Sequence, residues 1–143
     1  MNKELAFCKV VSDRNDIITK WICNGLNIKT DWLGKHFTIG FFYKSKLIGG
    51  LIYHDIRPYQ DVWWTLYTND KHWCTRRILH FMFSVAFDYF DCRRISIRTT
   101  GKNKKCIKLA NQLGFKTEGI LRRYANDGDD VIIMGILKEQ SHF

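Results

Sequence analysis

Apolar residues recur along this chain with two different periods, and the changes of period mark its elements. Ile17, Ile18, Trp21, Ile22 and Leu26 follow helical spacing. They predict a helix from Asp16 to Leu26, with Ser12 as its N-cap and a short strand, Ala6 to Val11, before it. Phe37, Ile39, Phe41 and Tyr43 alternate, as a strand does. After a tight turn at Lys44-Ser45, a second strand runs from Leu47 to Ile56. It carries Gly49-Gly50, a pair that points to a bulge or a close backbone approach. Pro58 cannot donate to a ladder, so residues 57–60 form a loop. Val62 to Thr68 is then a third strand. Alternation puts Trp64 and Leu66 on one face and Trp63 and Tyr67 on the other. The three strands make an antiparallel meander.

The second half reads differently. Thr75 to Asp91 has a wide apolar face (Ile78, Leu79, Phe81, Met82, Phe83, Val85, Ala86, Phe87, Tyr89, Phe90) and one polar stripe, Arg77, His80, Ser84, Asp88 and Asp91. One long helix buried against the sheet is expected. A strand, Arg94 to Arg98, and a shorter helix from about Asn103 follow. Gly114 suits the left-handed cap of that helix. Phe115 to Tyr124 and Val131 to Leu137 are two strands about an Asp127-Gly128 turn. Strand, helix, strand gives a parallel pair with a right-handed crossover. The fold class expected is therefore α/β in the α+β sense: a mixed, mostly antiparallel sheet of about six to seven strands with helices on both faces.

With 143 residues, 45% hydrophobic, and no linker composition or repeat, the chain reads as one domain over 1–143. No apolar run reaches the ~18 residues of a membrane span. Five scattered cysteines without a Cys-x-x-Cys pair suggest reduced thiols and a cytoplasmic location. Neither they nor the five histidines have zinc spacing, so no metal is expected. No Walker A or Gly-x-Ser-x-Gly string occurs.

The net charge of +9 changes the picture more than composition does, because it favours an acidic partner. An anionic cofactor, an acidic protein and nucleic acid all fit. Trp63, Trp64, Tyr67, Trp73 and Tyr59 are candidates to stack on bases beside the basic residues. Lys71, His72, Arg76 and Arg77 gather at the corner before the long helix, where unpaired N–H groups and the helix dipole favour an anion.

Asn103-x-x-Cys106, Leu113-Gly114-Phe115-x-x-Glu118-Gly119-x-x-Arg122 and the Asp127-Gly128 turn resemble the C-terminal half of the GNAT family of N-acetyltransferases. The similarity extends over roughly Phe37 to Lys138 and is greatest to the branch that acetylates ribosomal-protein N-termini. It implies a GNAT-like sheet, acetyl-CoA as cosubstrate, and direct attack of a primary amine on the thioester. A protein N-terminus or lysine is favoured over a small amine. The resemblance also assigns residues. Backbone N–H groups around Leu66, Tyr67 and Thr68 meet the oxyanion. The turn and helix start, His72, Trp73, Cys74, Thr75, Arg76 and Arg77, take the pyrophosphate. Asn103 contacts the pantetheine arm, and Lys102, Lys104 and Lys105 lie near the 3′-phosphate. Cys106 stands where a serine protonates the departing thiolate, so Cys106, Asn103 and Tyr67 are the catalytic candidates. Trp73 and Thr75 replace family glycines, Asp70 replaces a Gln or Arg, and Ala110 stands where another branch has its acidic Tyr. His54, Asp55 and Asp61 are nearest to a general base. The alternative is a non-catalytic GNAT-fold module gripping nucleic acid or a protein.

Overall fold

The computed structural model describes residues 8–12 and 14–143. Seven strands, β1 (Lys9–Val11), β2 (Phe37–Tyr43), β3 (Lys46–Arg57), β4 (Asp61–Thr68), β5 (Arg94–Thr100), β6 (Lys116–Leu121) and β7 (Val131–Leu137), form one sheet in the order β1-β2-β3-β4-β5-β7-β6. Among the described residues only β4 and β5 pair in parallel. The mixed, mostly antiparallel sheet is thus the expected one. The part of the first strand expected at Ala6 and Phe7 lies outside the described residues.

The two faces carry different helices. On one lies α1 (Asn15–Gly25), which buries Ile18, Ile22 and Cys23, while Thr19 bonds Thr38 at 2.7 Å. It sits unusually close. A Cβ on Gly40 would meet Ile18 Cδ1 at 2.7 Å, and one on Gly50 would meet Ile22 Cδ1 at 2.6 Å. A side chain at either position would have to displace these isoleucines. The Gly49-Gly50 pair thus meets both expectations, because the β2–β3 register also slips beside it, between Phe41 and Phe42.

On the other face, α2 (Arg76–Ser84) and α3 (Lys104–Leu113) close the larger core over Phe41, Leu51, Tyr53 and Trp64. Trp64 meets Phe83 edge-on at 4.9 Å and Phe115 at 5.8 Å, and Tyr53 donates to the Met82 carbonyl at 2.8 Å. The remaining link is an ion pair that crosses a strand. Arg94 on β5 reaches over Gly135 of β7 to Glu118 of β6, with bonds of 2.5 and 3.1 Å. This pair gives the motif residue Glu118 a structural task.

Three local expectations are corrected. Ser12 is not the helix cap: α1 starts at Asn15 with Arg14 in the cap position and no side-chain bond there. The helix start follows the seating of Ile18 and Ile22 on the sheet rather than the nearest capping residue. The long helix is α-helical only to Ser84. Val85–Tyr89 form a π turn in which Phe90 N–H donates to Val85 O at 3.0 Å. The wider turn buries three consecutive residues, Val85, Ala86 and Phe87, which a regular helix would spread around its axis. Finally, Asp127-Gly128 does not make a tight hairpin. The β6–β7 ladder ends at Leu121↔Val131, and residues 122–130 form a loop in which Asp130 accepts from Arg123 N–H at 2.9 Å.

Candidate active site

The parallel pairing of β4 and β5 lasts for three residue pairs, Asp61↔Arg94, Val62↔Ile95 and Trp63↔Ser96, and then stops. Beyond it the strands part. The backbone of β4 from Trp64 to Thr68 has no strand partner on that side, and a cleft of about 510 Å³ opens there. A polar network holds the closed end. Ser96 Oγ donates to Asp61 at 2.7 Å, and Arg94 Nε lies 3.1 Å from Ser96 Oγ and 3.5 Å from the Asp61 carboxylate. Asp61, one of the three candidate bases, is therefore engaged in fixing the point where the strands separate.

The cleft brings together Leu66, Tyr67, Thr68, Trp73, Asn103, Lys105 and Cys106. Tyr67 packs edge-on against Trp21 at 5.3 Å and fills the place a side chain at Gly25 would take, so the end of α1 forms one wall. Asn103 accepts from Cys106 N–H at 3.2 Å and so caps α3. Burial pushes the Cys106 thiol up, and Thr99 partly offsets this. The thiol is accordingly held protonated at neutral pH. The pattern alone did not single out Thr65, Ile97, Arg98 and Thr99, which also line the cleft. The signal was there in the strand parity once the parallel pair was placed, but the length of that pairing could not be read.

His72, Cys74, Thr75, Arg76 and Arg77 stand outside this lining, at the corner before α2. The chain makes a 3₁₀ turn, Lys71–Trp73, there. Asp70 caps that turn by accepting from His72 N–H at 2.9 Å and also bonds the His72 ring at 2.5 Å. These bonds hold the Asp70 carboxyl below its ordinary range. Trp73 turns inward and stacks on Phe41 at 5.8 Å. Thr75 caps α2, accepting from Ile78 N–H at 3.2 Å. Cys74 and Thr75 N–H donate to Lys71 O and Trp73 O, whereas among the described residues no partner meets the N–H groups of Arg76 and Arg77. Arg76 lies over the Phe143 ring at 5.7 Å.

An extended ligand with amides at one end and phosphates at the other suits this arrangement: unpaired β4 backbone leads toward open N–H groups at a helix start. The aromatic set suggested for base stacking is dispersed instead. Trp64 and Trp73 are core residues, while Tyr59 is exposed on the β3–β4 loop. Among the described residues no cluster of His, Cys, Asp and Glu can hold a metal ion, and no helix is long and apolar enough to cross a membrane.

Residues 6–135 match the family model described as Acetyltransferase (GNAT) domain. The chain belongs to the GNAT N-acetyltransferase family. Members use acetyl-CoA as cosubstrate. The overall fold matches that of GNAT acetyltransferases of known structure. A spermidine/spermine N-acetyltransferase from Vibrio cholerae superposes with a TM-score of 0.73 at 17% identity, covering 93% of this chain and 94% of that one. A ribosomal-protein-S5-alanine acetyltransferase from Vibrio fischeri gives 0.64 at 20% identity, covering 76% of this GNAT chain and 64% of its own. No curated protein matches by sequence.

Proposed function

We propose that this GNAT protein is a single-domain cytoplasmic enzyme that transfers the acetyl group of acetyl-CoA to the primary amine of a protein, an N-terminus or a lysine. The observation that carries this reading is the charge of the cleft. Among the described residues its lining contains Arg98 and Lys105 but no Asp or Glu, and the whole chain carries +9. A polyamine brings several positive charges and would be repelled. A protein segment with acidic residues beside its amine would be drawn in. Family membership also favours catalysis over a binding-only module.

Acetyl-CoA supplies the activated acetyl thioester. The β4 backbone from Leu66 to Thr68 offers N–H groups to the developing oxyanion, Asn103 stands beside the pantetheine arm, and Lys105 and the Arg76-Arg77 corner meet phosphates. The protonated Cys106 gives its proton to the departing thiolate, an exchange between two thiols.

Two measurements test this. Peptides beginning with Ala or Ser and followed by acidic residues should exceed spermidine in kcat/KM when CoA release is followed; a preference for spermidine would overturn the protein acceptor. Cys106→Ala should lower kcat and leave acetyl-CoA affinity unchanged, because the proton is needed only in the transition state. Unchanged kcat would make Cys106 a packing residue.

A further inference from the structure

We propose that Asp55, His54 and Thr65 form a proton relay that takes the proton from the acceptor amine, with Thr65 touching the amine and His54 as the base behind it. The proposal rests on the acetyltransferase reading above.

The geometry is directional. His54 is buried, 4% exposed. Its Nδ1 lies 2.8 Å from Asp55 Oδ2 and its Nε2 lies 2.8 Å from Thr65 Oγ1. An ionised carboxylate only accepts, so Nδ1 carries the hydrogen and Nε2 is left to accept from the Thr65 hydroxyl. That leaves the lone pairs of Thr65 free to accept, and Thr65 lines the cleft where β4 has lost its partner strand. The three groups thus run from solvent-exposed carboxylate through buried imidazole to a hydroxyl at the cleft wall.

An adjacent His-Asp contact does not arise in a regular strand, where neighbouring side chains point to opposite faces. Here the β3–β4 register slips between His54 and Arg57, and Asp55 takes a left-handed conformation with φ 47°. A non-glycine residue in that region is uncommon and persists where its surroundings hold it there. The bulge is what turns the Asp55 carboxylate back onto the ring. Trp32 covers the ring edge-on at 4.9 Å.

The charged groups around His54 are Asp55 on its own strand, Arg98 from β5 and His36 from the segment before β2. Burial is the largest influence and lowers the imidazole pKa below its ordinary value; Asp55 opposes this, and Arg98 and His36 add to it. The ring is therefore neutral, and able to accept, at neutral pH.

The step balances as follows. The ammonium passes one proton to Thr65 Oγ1 as the hydroxyl's own proton moves to His54 Nε2. The freed amine attacks the acetyl carbonyl carbon, an N–C bond forms and the C–S bond breaks. The second proton, lost from the new amide nitrogen, goes to the CoA thiolate by way of the donor there. His54 returns its proton to solvent, so one proton is released per turnover.

The test uses the full chain with acetyl-CoA and an alanine-initiated acidic peptide. The acidic limb of kcat/KM against pH is expected to follow His54. His54→Gln and Thr65→Val should each lower kcat/KM at neutral pH by about 10²-fold and abolish that limb. Thr65→Ser should restore what Thr65→Val loses. In ¹⁵N NMR of the unliganded protein, neutral His54 should be protonated on Nδ1, and Thr65→Val should shift its titration. Folded variants with wild-type rates and an unmoved limb would overturn the relay. So would an imidazole protonated on Nε2, whether or not the peptide is a substrate. If the wild-type protein itself transfers nothing, the acceptor reading has failed, and the NMR result alone then decides whether the relay geometry exists.

Discussion

Replacing Trp64 with alanine is expected to destabilise the fold by about 3–5 kcal/mol, the range for deleting a large buried aromatic. Trp64 is 7% exposed and sits where α2, α3 and the sheet meet, against Phe83, Phe115 and Tyr53. Its loss leaves a void that opens into the cleft, and the aromatic neighbours are themselves pinned on several sides. Trp64→Phe separates two opposing effects. It removes apolar area, but it also removes Nε1–H, which among the described residues is the buried side-chain donor without a partner. Leaving such a donor unsatisfied costs about 1–3 kcal/mol. The phenylalanine variant should therefore lose much less than the alanine variant. Denaturant unfolding of both checks this. An alanine loss below about 1.5 kcal/mol would mean that the surroundings collapse into the space.

The alternation of Phe37 to Tyr43 and Val62 to Thr68, the Lys44-Ser45 turn and the left-handed Gly114 were all legible, because each depends on residues close in sequence. The π turn was not. It depends on how Val85, Ala86 and Phe87 meet a sheet built from distant residues, and the density of the apolar run signals only that one helical face is too small. The same limit applies to the β6–β7 loop, whose shape is held by contacts such as Lys102 N–H to Asp129 at 2.9 Å.

The cleft shows the limit more sharply. Asn103, Cys106 and the β4 stretch came from the resemblance to the family, and the structure gathers them around one opening. The three candidate bases looked equivalent in sequence, yet the structure separates them. Asp61 is tied to Ser96 and Arg94, while His54 and Asp55 are joined by a bulge that no periodicity encodes. A polar His-Asp pair ending an apolar strand was the available clue.

Reversing both charges in Arg76→Glu/Arg77→Glu should weaken acetyl-CoA by about 10²–10³-fold, or ~3–4 kcal/mol. At exposed sites each charge pair at contact distance contributes on the order of 1 kcal/mol. Reversal turns attraction into repulsion, so each position changes by ~2 kcal/mol before screening. The effect should therefore shrink as salt rises. Single alanines should do far less, because the open N–H groups of Arg76 and Arg77 survive any side-chain change. Arg76→Ala should be the milder of the two, since that guanidinium already lies over Phe143, whereas Arg77 forms no ion pair among the described residues. Asp70 would repel a phosphate bound at this corner. Its bonds to His72 keep it ionised, and Asp70→Asn should strengthen binding slightly at low salt. Calorimetry with acetyl-CoA on these variants, each first shown folded by circular dichroism, gives the ranking. If the folded double variant binds like wild type, the phosphates lie elsewhere, and the corner before α2 is only the start of a helix.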